Sequence, residues 1–79
     1  MSLPAWTQAF TAAYDELCRC LDRGAEPPIH PYAAESPGEF FAVVSEAFFE
    51  IPAVLQAAYP AVYAQLHAFY RQDPLLRLG

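Results

Sequence analysis

The sequence predicts an all-α protein, a small bundle of about four helices, on three observations. Apolar residues recur at three- and four-residue steps in its first and last thirds, the spacing that lines one face of a helix. Ser36-Pro-Gly-Glu39 is a capping box with proline at the first helical position, a helix start written in side chains. Pro52 and Pro60 each stand where a further helix can begin, since proline has no N–H to lose there and its φ already suits a helix.

The first helix is expected over residues 4–23, with Trp6, Phe10, Ala13, Tyr14, Leu17 and Leu21 as its apolar stripe. Asp15, Glu16, Arg19, Asp22 and Arg23 fill the other side and Gly24 supplies the stop. From Ala25 to Glu35, Pro27, Pro28 and Pro31 forbid a regular helix and predict an extended, fairly stiff connector. The second helix, residues 37–50, carries Phe40, Phe41, Val43, Val44, Ala47 and Phe48. Apolar on most of its circumference, it reads as central. Ile51-Pro52 ends it, because a residue before proline avoids the helical region. A short third helix follows over 52–59 and a fourth over 60–71, in which Val62, Tyr63, Leu66, Phe69 and Tyr70 form the buried stripe. Asp73-Pro74 closes it, leaving Leu75 to Gly79 as a tail. Residues 1–79 form a single helical segment.

Composition narrows the classes of function. Hydrophobic residues make up 56% of the 79 and aromatics 15%, against roughly 45–50% apolar in soluble domains. A chain this short buries only about 60% of its unfolded surface. The surplus predicts an apolar patch covered by further protein or by a second copy, most simply a two-fold homodimer. Nine acidic and four basic residues give a net charge of −5 with no basic stripe, so direct nucleic-acid binding is not expected. No apolar run reaches the ~18–20 residues of a membrane span, and no basic-then-apolar leader opens the chain. A cytoplasmic protein with no membrane partner is expected. Cys18 and Cys20, two apart on a helix, point to different sides and read as reduced thiols.

Few residues carry chemistry. Glu39 and Glu46 are seven apart on the second helix, sharing a face across about 10.5 Å of rise, and Glu50 continues the row. That separation is too long for both to hold one ion. On physical grounds alone, the third position of a capping box accounts for Glu39, and a ring packed on the helix start accounts for Tyr32, although a phenol there can also donate to a developing oxyanion. His30, in the connector, and His67, expected partly buried in the fourth helix, form no ligand pair. The chain has no His-Glu-x-x-His, no glycine-rich phosphate loop and no nucleophile in a recognisable setting.

The strings Pro31-Tyr-Ala-Ala-Glu-Ser-Pro-Gly-Glu-Phe-Phe-Ala-Val-Val-Ser-Glu-Ala-Phe-Phe-Glu50, Ala57-Ala-Tyr-Pro-Ala-Val-Tyr63 and Phe69-Tyr-Arg-Gln-Asp-Pro74 closely resemble the C-terminal part of the Mlc titration factor A family. These are bacterial cytosolic zinc metallopeptidases of the gluzincin type, and the similarity runs from Trp6 to Asp73-Pro74. The resemblance implies that Glu39 is the third zinc ligand, following two histidines and a general base on a His-Glu-x-x-His helix. It implies that Tyr32, seven residues before that glutamate, is the catalytic tyrosine. Glu46 matches a position of the motif and is expected only to support or pack. The complete protein would hydrolyse peptide bonds with a zinc-activated water. Its partners would be the rest of the catalytic domain, a peptide substrate and the Mlc-type transcriptional repressor. Without the His-Glu-x-x-His part, this chain alone is expected to bind no zinc and to be inactive. The competing expectation is a stand-alone, non-catalytic helical module that docks a partner through its apolar face.

Overall fold

The computed structural model describes residues 3–70, and the expected Asp73-Pro74 stop and Leu75 to Gly79 tail lie outside them. The order is α1 (Leu3–Asp22), a short 3-10 helix (Pro31–Ala34), α2 (Pro37–Glu50), α3 (Pro52–Ala58) and α4 (Pro60–Tyr70). No strand occurs among the described residues, and the fold is an all-α bundle.

Each boundary has a local cause. α1 ends in a Schellman motif in which the Ala25 N–H donates to the Cys20 carbonyl and the Gly24 N–H to that of Leu21, both at 3.0 Å. Gly24 sits at φ +72°, the left-handed geometry this motif requires. At the start of α2, Ser36 is extended and its hydroxyl accepts the Glu39 N–H at 3.1 Å, with Pro37 next. Ile51 and Tyr59 stand between helices at φ near −135°, each followed by the proline that opens the next one. The connector is not wholly extended as expected. Pro31 turns it into one 3-10 turn, because a proline at a first helical position nucleates a turn as readily as it breaks a helix already running.

The core draws on every element. Leu17 of α1, Phe40, Val44 and Phe48 of α2, Leu55 of α3, and Val62 and Leu66 of α4 are almost wholly buried, and Ile29 and Ala33 plug it from the connector. Cys20 is buried as well, and both cysteines are free thiols. The shortest principal extent is 17 Å, the depth of two helix layers at an 8–10 Å interaxial distance. Among the described residues no third layer covers α2, which buries one face and leaves Phe49 nearly half exposed.

Phe69, expected in the buried stripe, is likewise about half exposed. It continues the Val62 direction two turns on, near the end of α4, where its ring meets Trp6 at 5.5 Å between centroids. His67 is exposed instead of partly buried, a quarter-turn from the same stripe.

Candidate functional site

The two residues singled out by resemblance sit on either side of the Ser36 cap. Tyr32 is the second residue of the 3-10 turn and is half exposed, while Glu39 occupies the first turn of α2 and is half-buried. The turn packs principally against α2, so the fold brings the loop bearing the phenol and the helix start bearing the carboxylate together as neighbouring elements.

Both backbones are held by short-range bonds. The Tyr32 N–H donates to Nδ1 of His30 at 3.1 Å, the Ala33 N–H to the His30 carbonyl at 3.0 Å, and the Glu35 N–H to the Tyr32 carbonyl at 3.1 Å. A ring nitrogen that accepts carries no proton, so neutral His30 has its hydrogen on Nε2. Ala33, next to Tyr32, is fully buried and drives the turn into the core. From α1 the Tyr14 hydroxyl donates to the Ala34 carbonyl at 2.9 Å. Desolvation, reinforced by Cys18 and by the charges of Asp15 and Glu35, raises the Tyr14 pKa above 10.0, and the phenol therefore remains a donor at neutral pH.

The capping box at Ser36 is only half made. The serine hydroxyl takes the Glu39 N–H, but among the described residues the Glu39 side chain makes no return bond to the Ser36 N–H or to any other donor. Among the described residues its two carboxylate oxygens have no hydrogen-bond donor, on the first turn of α2. Glu46 and Glu50 are exposed further along α2, and His30 and His67 are exposed on separate elements. No group of three or more His, Cys, Asp or Glu that could hold a metal ion is assembled among the described residues.

The supports of Tyr32 are the part that the sequence conceals. His30 precedes Pro31 as a capping residue precedes a helix-opening proline, a signal that the connector's other prolines mask. Tyr14 gives no signal, since it reads as one more member of an apolar stripe.

The described residues thus present a carboxylate without a hydrogen-bond partner on the first turn of α2 and an exposed tyrosine on the turn packed against that helix. The chain belongs to the glucose-regulated metallo-peptidase M90 family, whose model matches residues 1–71. Among curated relatives it is similar to Mlc titration factor A of Edwardsiella ictaluri (strain 93-146), 46% identical over 80 residues covering 96% of this chain and 30% of that protein. It is 41% identical to Mlc titration factor A of Pectobacterium atrosepticum over 78 residues, covering 96% of this chain and 29% of the relative. Over a 47-residue stretch, 60% of this chain and 17% of the relative, identity to Mlc titration factor A of Yersinia pestis (strain Pestoides F) is 57%. The chain thus spans under a third of the length of the relatives that match nearly all of it, consistent with the C-terminal portion of that family.

Proposed function

We propose that this chain is the helical segment of a longer zinc-dependent peptidase, to which it contributes Glu39 as one metal ligand and Tyr32 as a hydrogen-bond donor. The observation that carries the reading is the half-made capping box. Glu39 stands where a glutamate ordinarily closes the box, yet its oxygens accept nothing among the described residues, in a chain of a metallo-peptidase family. A hard oxygen ligand on a fixed backbone fits one position of a zinc site.

Among the described residues the segment provides one such position and no group of three. By itself it is inactive, and the His-Glu-x-x-His element of the longer protein is its indispensable partner. When bound, zinc supplies a Lewis acid and a water ionisable near neutral pH. The chain's own residues do the rest locally. Ser36 holds the Glu39 backbone by accepting its N–H. Tyr32 presents its phenolic O–H from a turn that Ala33 anchors, so that it can donate to the oxygen of a substrate carbonyl as negative charge gathers there.

The exposed side chains of Phe49, Ile51, Val54 and Phe69 support the reading of an element made to be covered. Phe69 and Phe49 are linked through the partly buried rings of Trp6, Phe41 and Tyr70, with Trp6 meeting Phe41 and Phe69 at 5.8 and 5.5 Å. We assign this surface to the remainder of the peptidase domain, and to a second copy when the chain is isolated. The rival, a non-catalytic docking module, draws on the same surface but leaves the free carboxylate without a purpose. Among the described residues no helix is long and apolar enough to cross a membrane, and the reading places the protein in the cytoplasm. It extends to Mlc, named in the relatives, as a protein partner, and to a peptide substrate.

Kinetics of the longer enzyme test the assignment. Tyr32→Phe lowers kcat by about 10²–10³, the cost of losing one oxyanion donor, with bound zinc unchanged, whereas Glu39→Gln lowers metal content and activity together. Unchanged kcat in the first variant removes Tyr32 from the chemistry, and unchanged metal in the second removes Glu39 from the site.

A further inference from the structure

We propose that Tyr14 is a positioning residue for the site, fixing the turn that carries Tyr32 to the helix frame that carries Glu39. This rests on the reading that Tyr32 acts in catalysis. The connector from Ala25 to His30 has no regular structure, and a 3-10 turn of four residues has little cohesion of its own. The hydrogen bonds that His30 and Tyr32 contribute to the turn are local and would move with it. The bond from the Tyr14 hydroxyl to the Ala34 carbonyl is different, because it spans 20 positions and ties the turn's last residue to α1 at 2.9 Å. It also satisfies one of the end carbonyls that a short helix leaves unpaired.

The same ring reaches the other half of the site. Tyr14 stands edge-on to Phe40, with centroids 5.6 Å apart and planes at 80°, and Phe40 is the residue after Glu39, with its side chain almost fully buried. One phenol therefore touches the support of both candidate residues, through its oxygen on the tyrosine side and its ring on the glutamate side. A displacement of about 1 Å at a catalytic group can cost up to 10² in rate. A single bond that sets the turn against α1 is thus in a position to govern kcat without touching substrate.

Tyr14→Phe separates these roles, since it keeps the ring on Phe40 and removes only the hydroxyl. In the 79-residue chain, far-UV circular dichroism stays unchanged while amide hydrogen exchange at Ala33 and Glu35 accelerates about two- to tenfold, the loosening expected from one lost hydrogen bond, with Val44 and Leu66 unaffected. In the longer peptidase the variant lowers kcat about tenfold with KM little changed, and the Tyr14→Phe, Tyr32→Phe double variant is no slower than Tyr32→Phe alone. Unaltered exchange in the turn overturns the proposal, as does a double variant whose losses multiply, which would mean Tyr14 acts independently of Tyr32. A Tyr32→Phe enzyme of full activity would instead refute the underlying role of Tyr32, and is scored separately.

Discussion

A double-mutant cycle on Ser36 and Glu39 probes whether the carboxylate is free. Ser36→Ala removes the acceptor of the Glu39 N–H, a single bond of 3.1 Å, and a lost N-cap of this kind costs about 1 kcal/mol, within roughly 0.5–2. A domain of this length has on the order of 4–12 kcal/mol to lose at 0.05–0.15 kcal/mol per residue, so the midpoint of thermal unfolding falls by about 4–8 °C. Glu39→Ala behaves differently. With no return bond from its side chain, it forfeits only the attraction of a carboxylate for the helix N-terminus, about 0.3–1 kcal/mol and diminishing with salt. In a fully reciprocal box the two losses are coupled, because each side chain holds the other's backbone. In this structure they are not, and the coupling energy from urea denaturation followed by circular dichroism stays below about 0.5 kcal/mol. A coupling near 1 kcal/mol or more would show that Glu39 is engaged in its own cap, and the argument for a carboxylate held ready for a metal would lose its footing.

Three further outcomes follow from the packing. Phe48, fully buried against Tyr63 and Tyr70 at 5.2 and 5.7 Å, costs about 3–5 kcal/mol on replacement by alanine, and a loss under 1 kcal/mol in urea titration would mean the bundle is not packed as described. Gly24→Ala meets no atom within 4 Å, so it should cost only the left-handed backbone penalty of about 1 kcal/mol, and an unchanged melting temperature would contradict the Schellman ending of α1. Burial, with smaller contributions from Glu16 and Cys20, pushes the Tyr59 phenol up to about 12 from 10.0. The folded state then holds a proton that the unfolded state releases first, so stability from this group is intact below pH 10 and lost as the pH rises towards 12. The loss amounts to about 1–2 kcal/mol after allowance for solvent reaching the hydroxyl. Tyr59→Phe flattens most of that decline, and an unaltered alkaline slope in denaturation measurements would rule the attribution out.

Helix positions were legible because proline and serine declare helix starts on their own, without reference to anything distant. Ser36-Pro37, Pro52 and Pro60 open helices as their chemistry dictates, and Gly24 closes one. What periodicity could not supply was depth. It marks Phe69 as a stripe residue, but it does not show where along α4 the core ends: Val62 and Leu66 are wholly buried, while Phe69, near the end of the helix, stays about half exposed. The connector misled for a related reason, since three prolines exclude a long helix but say nothing against a single 3-10 turn seated by the burial of Ala33. At the site, the type and place of Tyr32 and Glu39 came from resemblance, whereas capping logic alone explained Glu39 away. The structure alters that balance by showing the cap closed from the Ser36 side only. The Tyr14 to Ala34 bond joins residues 20 apart and has no trace in local pattern.

Zinc stoichiometry by native mass spectrometry, compared between the 79-residue chain, the longer peptidase and its Glu39→Ala variant, bears most directly on the claim that this segment supplies one ligand of a shared site. The account predicts no stoichiometric zinc on the isolated chain, one zinc on the longer protein, and clear loss of that zinc in the variant. Stoichiometric zinc on the isolated chain, or full occupancy in the longer protein without the Glu39 carboxylate, would contradict it.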